Sequence, residues 1–139
     1  MESELSILKS DEARQLTHFS PRRELGRTGF IASALGIGDL ADRSLPLETC
    51  VATLRRAIDA GLNVVDTAPG YEDGYSEQIV GEAVKGVRDG LFIVSKIDDL
   101  LDPVAPQIEA SLRRLQLDYT DAFVSVSYTH LTLPTSDLV

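Results

Sequence analysis

Four short apolar runs recur along this chain with nearly constant spacing. They are "ALGIG" (Ala34 to Gly38), "LNVVDTA" (Leu62 to Ala68), "LFIVSK" (Leu91 to Lys96) and "DAFVS" (Asp121 to Ser125). Their starts lie about 28 to 30 residues apart, the length of one strand plus one helix. The runs lack polar alternation, which predicts strands buried on both faces, as in a parallel sheet covered by helices.

The segments between the runs carry a helical period. Leu47, Cys50, Val51, Leu54, Ala57 and Ile58 fall on one face, with Pro46 before them and Gly61 after. Ser76 is placed to cap a second helix, with Ile79, Val80, Ala83, Val84 and Val87 turned inward. Asp102 and Pro103 open a third, with Val104, Ile108, Ser111, Leu112 and Leu115 on one side. Upstream, "RRELGRTGFIAS" places two short extended stretches around Gly26 and Gly29, the pattern of a β-hairpin. Residues 1–20 have only weak periodicity and read as a mobile leader.

Strand–helix units in series allow an open doubly wound sheet or a (β/α)8 barrel. Length favours the open sheet, because a whole barrel takes about 250 residues and this chain has 139. The strand ends favour the barrel. Asp66 closes the second run and Lys96 the third, both at the C-terminal rim where barrel active sites form. Tyr71 follows in the loop after Asp66, with Gly70 and Gly74 allowing a tight turn. No strand is followed by G-x-G-x-x-G, the phosphate-binding turn of an open nucleotide-binding sheet.

These three side chains complement one another. An isolated tyrosine, with a pKa of roughly 10, is a poor acid at neutral pH. A neighbouring ammonium favours phenolate, and a carboxylate beside the ammonium keeps it charged and oriented. An Asp–Lys–Tyr chain is therefore a tuned general acid for an oxygen that becomes negative, as in reduction of a carbonyl. Taken singly, each has a plainer role: Asp66 capping a turn, Tyr71 packing on the rim, Lys96 reaching solvent.

Composition narrows the partners. A net charge of -9 with no basic patch disfavours nucleic acid. No run of about 18 apolar residues is present to span a membrane. Two histidines and one cysteine do not supply the usual zinc ligand spacing. The single cysteine, Cys50, lies on a helical apolar stripe and suits a reducing cytoplasm.

The segment "DTAPGYEDGYSE" resembles the Asp-Thr-Ala, Tyr and Ser-Glu signature of the aldo-keto reductase family. "RRELGRTGFIASALGIG" is similar to that family's N-terminal hairpin and first barrel strand, and "IVSK" to the strand bearing its catalytic lysine. The resemblance covers about residues 20 to 124. It implies the N-terminal half of a (β/α)8 barrel and NADPH-dependent reduction of a small aldehyde or ketone. It implies Tyr71 as general acid, tuned by Lys96 and Asp66. It places Gly38, Asp39 and Asp66 towards the nicotinamide end of the cofactor. Glu72 departs from the pattern, standing where the family most often has glycine, and Asp39 stands where threonine is common.

The resemblance also implies a histidine at about position 126, where this chain has Val126. The tail "VSYTHLTLPTSDLV" has no helical period and looks like a translated sequencing adapter joined near Ser125. His130 within it lies about four residues late for the family's histidine. The expectation is a partial barrel over residues 21–125 followed by a non-native tail at 126–139. Most of the cofactor site would be missing, no carbonyl reduction would be catalysed, and exposed strand edges would invite self-association. The alternatives are a cofactor-sensing binding module of the same fold and a structural product without ligand.

Overall fold

The entry into the fold is set by a tight turn. Gly26 and Gly29 both have positive φ, at 57° and 75°, which glycine adopts without steric cost. They join β1 (Arg22–Glu24) to an antiparallel β2 (Ile31–Ser33), with Arg23 opposite Ala32. This is the hairpin expected from the sequence. The computed structural model describes residues 18–125, so the tail, with Val126 and His130, lies outside the described residues, as does most of the leader. Residues 18–20, read as part of that leader, are in contact with the fold: the Phe19 amide donates to the Ala60 carbonyl at 2.6 Å.

The run Ala34 to Gly38 does not form a full strand. Only Ile37 pairs, in a parallel bridge with Val65. Its amide donates to the Val64 carbonyl and its carbonyl accepts from the Asp66 amide, each at 2.8 Å. Gly36 and Gly38 flank it, and glycine in an extended segment supplies no side chain to pack. The next three runs form β3 (Val64–Asp66), β4 (Phe92–Ile97) and β5 (Ala122–Ser125). They pair in parallel and in chain order, with Val65 opposite Ile93 and Lys96 opposite Val124.

Three helices follow Ile37, β3 and β4 in turn: α1 (Leu47–Asp59), α2 (Tyr75–Ala83) and α3 (Val104–Leu115). Their apolar stripes meet one face of the sheet. Leu54, Ile79, Val84, Ile93, Val65 and Leu115 are at most 2% exposed there. Burial of each large aliphatic side chain contributes roughly 1.5–3 kcal/mol. Gly81 lets α2 approach α3 closely, since a Cβ at that position would strike the Leu115 carbonyl.

The strands are not buried on both faces as the sequence suggested. β4 alternates: Ile93, Ser95 and Ile97 are buried against the helices, whereas Phe92, Val94 and Lys96 are half-buried on the opposite side. That second face is the one a closed barrel turns inward. Some helix positions also differ. α2 ends at Ala83, leaving Val87 exposed, and Val104 at the start of α3 is exposed too. Ser76 does not cap α2; Gly74 takes that position at φ 80°, and the Ser76 hydroxyl accepts from Thr67 Oγ1 at 2.9 Å.

Candidate active site

Strand register brings Asp66 and Lys96 together. Asp66 ends β3 opposite Val94, and Lys96 lies two residues further along β4. Side chains repeat every second residue in a strand, so Lys96 shares the face of Val94 and of Asp66. Lys96 Nζ donates to Asp66 Oδ2 at 2.7 Å and to the Thr67 carbonyl at 3.0 Å. Tyr71 arrives by a short loop, its amide donating to the Ala68 carbonyl at 3.2 Å. Its ring then lies against the same ammonium, with Lys96 Nζ 4.5 Å from the centroid. That is within the range of a cation–π contact. The three residues singled out in the sequence are thus assembled at one rim.

The electrostatics favour a charged lysine. Burial pushes the Lys96 ammonium down, but its interactions with Asp66 and Tyr71 outweigh this and hold its pKa above the ordinary lysine value. The Lys96 side chain is 15% exposed and that of Asp66 41%, so the pair is open to solvent from the carboxylate side.

Gly38 and Asp39 follow the Ile37 bridge, level with Asp66. Both are exposed. Among the described residues, none apart from Gly38 and its two chain neighbours places a heavy atom within 4 Å of where a Cβ on Gly38 would stand. The Asp39 carboxylate turns back to accept the Ala41 amide at 2.9 Å. The rim therefore has open space beside Asp66 at Gly38, while the Asp39 side chain serves its own loop.

Sequence reading missed a second ion pair behind the first. Glu77 is fully buried, accepting from Ser95 Oγ at 2.7 Å and from Arg114 Nε at 2.6 Å. Arg114 Nη2 also reaches Ser111 Oγ at 3.3 Å. Gly74 makes room for this arginine: a Cβ there would lie 2.6 Å from Arg114 Cδ. A signal was present, because Glu77 lies three residues before Val80 on the apolar stripe of α2 and a charge there requires a partner.

Known proteins resemble this chain in sequence and in its arrangement of strands and helices. The aldo/keto reductase family profile matches residues 33–131. The chain belongs to the aldo/keto reductase family. The methylglyoxal reductase YeaE of Escherichia coli is 45% identical over 80 residues, covering 55% of this chain and 28% of that protein. An NADH-specific methylglyoxal reductase of the same organism is 32% identical over 123 residues, covering 73% of this chain and 38% of its own length. A crystal structure of an aldo-keto reductase from Klebsiella pneumoniae in complex with NADPH is 40% identical. It superposes with a TM-score of 0.61 over 67% of this chain and 34% of that one. The chain therefore spans well under half the length of these aldo/keto reductases. The described residues form part of the (β/α)8 barrel of the family, consistent with the helix-covered parallel sheet. Among the described residues, no helix is long and apolar enough to cross a membrane.

Proposed function

We propose that this chain carries the proton-donating part of an aldo/keto reductase active site, in a protein that reduces small aldehydes or ketones to alcohols. The observation that carries this reading is the Lys96 ammonium held 2.7 Å from Asp66 and 4.5 Å from the Tyr71 ring centroid. When bound, a nicotinamide cofactor supplies the hydride; the reading takes NADPH, as in the Klebsiella pneumoniae complex. Gly38 and Asp66 fit an approach of the nicotinamide end, because the rim beside them is open. Asp39 is assigned to the same loop contact through its backbone, its carboxylate being engaged with Ala41.

The chain's own groups then divide the work. Tyr71 donates the phenolic proton to the carbonyl oxygen as negative charge gathers there. Lys96 stabilises the phenolate left behind, which lowers the energy of the transfer. Asp66 and the Thr67 carbonyl hold Lys96 charged and aimed at Tyr71. A positioned general acid of this kind contributes about 10²–10⁴-fold in rate. The names of the methylglyoxal reductases make small α-oxo aldehydes the first substrates to try.

The reading includes two further expectations. One is a non-native tail over residues 126–139, although the family profile matches as far as residue 131. The other is no turnover by the 139 residues alone, the family's histidine and most of its cofactor cradle being assigned to chain this sequence does not carry. The test is oxidation of NADPH, and separately NADH, with a panel of aldehydes including methylglyoxal. It is run on this chain and on a protein carrying it within a full-length reductase. Turnover only in the longer protein is expected. No oxidation of either cofactor with any carbonyl by the longer protein would overturn the reading.

A further inference from the structure

The turn over Tyr71–Gly74 runs against the preferences of its own residues. Glu72 and Asp73 have φ of 48° and 54°, in the left-handed region that disfavours side chains with a Cβ. Two consecutive residues of this kind persist only where their surroundings over-determine them. Beside the turn's own amide bonds and the Arg114 side chain against Gly74, the surroundings include one side chain 29 residues upstream of Glu72. Arg43 Nε donates to the Glu72 carbonyl at 2.9 Å, and Arg43 Nη2 to the same oxygen. Nη2 also approaches the Asp73 carbonyl at 3.4 Å. The Glu72 carboxylate lies 3.7 Å from Arg43 Nε, and the guanidinium stands 5.3 Å from the Tyr75 ring centroid. Tyr75 links the same two loops again, its hydroxyl donating to the Leu45 carbonyl at 3.3 Å.

We infer that Arg43 is a positioning residue for Tyr71, acting through the carbonyls of Glu72 and Asp73 to hold the turn that lays the Tyr71 ring over Lys96. The planar fork suits this role, since one rigid group spans two successive carbonyls, which a lysine point charge does not do. The carboxylate contact adds little, because both side chains are about half exposed and solvent screens them. The backbone carbonyls are the effective partners. This inference rests on Tyr71 being the proton donor for its functional meaning, but the geometry is testable without turnover.

The test uses isotope-labelled protein of the full 139 residues and two nuclear magnetic resonance readouts. The first is the ring-current displacement of the Lys96 methylene protons next to Nζ, which reports the Tyr71 ring directly. The second is hydrogen exchange of the Tyr75 amide, which donates to the Glu72 and Tyr71 carbonyls. In Arg43→Ala the Lys96 displacement is expected to vanish and Tyr75 exchange to accelerate at least about tenfold, with the amides of β4 unchanged. Arg43→Lys is expected to fall between, and it supplies the readout if the alanine variant does not fold. With Glu72→Gly and Asp73→Gly in place, where the left-handed turn is relaxed, Arg43→Ala is expected to change either readout by no more than about twofold. An undisturbed Lys96 displacement in Arg43→Ala would overturn the inference. So would an equal loss in the glycine background, which would make Arg43 a general stabiliser. Inactivity of a Tyr71 variant speaks to the proposed reaction and leaves these readouts untouched.

Discussion

Two carboxylate–cation pairs lie back to back across β4, and they do different things. Ser95 points towards the helices and donates to Glu77, which Arg114 neutralises. Lys96, the next residue, points to the other face and pairs with Asp66. The distances are nearly identical, 2.6 Å for Arg114–Glu77 and 2.7 Å for Lys96–Asp66. Solvent reaches them from opposite partners: Glu77 is fully buried with Arg114 30% exposed, whereas Asp66 is 41% exposed with Lys96 15% exposed. A fully buried carboxylate such as Glu77 tolerates the loss of its cation poorly, which ties the elements that carry the two together. A pair whose carboxylate meets solvent has less to contribute to stability, and in the proposed function this one acts on Tyr71. The two-residue period of the strand thus sends a helix-side pair and the pair of the proposed active site to opposite faces from adjacent positions.

That contrast can be broken at either end. Arg114→Met strands the Glu77 carboxylate in the core, and we expect a loss of about 3–5 kcal/mol in urea unfolding. Gly81→Ala tests the same helix-side packing by driving a methyl into the Leu115 carbonyl, with an expected loss of about 1–3 kcal/mol. Lys96→Met at the rim leaves Asp66 accessible to water, so unfolding at pH 7 should shift by no more than about 1 kcal/mol. Equal costs for Arg114→Met and Lys96→Met would remove the distinction.

The smallest expected effect concerns pH. Lys96 has a raised pKa in the folded chain, so its contribution is present in full below the ordinary lysine value of 10.5. It is lost as pH rises through the folded pKa. Stability of the wild-type chain should therefore decline with pH above about 10.5 by slightly more than that of Lys96→Met, measured as urea midpoints across that range.

Much of this arrangement is legible in the sequence because it depends on local pattern. The strand–helix rhythm carries the parallel order, and the polar residues closing the runs at Asp66 and Lys96 mark the rim. Tyr71 is legible because glycines bracket it closely. What is not legible depends on register between distant segments. Nothing local pairs Glu77 with Arg114, 37 residues away, or Arg43 with a turn about 30 residues on. The first run reads as a full strand, but its apolar residues say nothing about how many neighbours it has, and only Ile37 finds one. Glu72 is visible as a departure from the family's glycine, and its φ of 48° gives that departure a physical meaning. Serine favours the cap position, which makes Ser76 look like one, but the left-handed Gly74 starts the helix and frees the hydroxyl for Thr67.

The central claim is that Asp66, Lys96 and Tyr71 are gathered so that the phenol gives its proton to a reduced carbonyl. Its most direct test is the rate of carbonyl reduction by Tyr71→Phe within a full-length reductase carrying this chain, with cofactor binding measured in parallel. The account predicts a fall in kcat of about 10²–10⁴-fold with cofactor affinity preserved. A variant that reduces methylglyoxal at the wild-type rate without the phenol would contradict it.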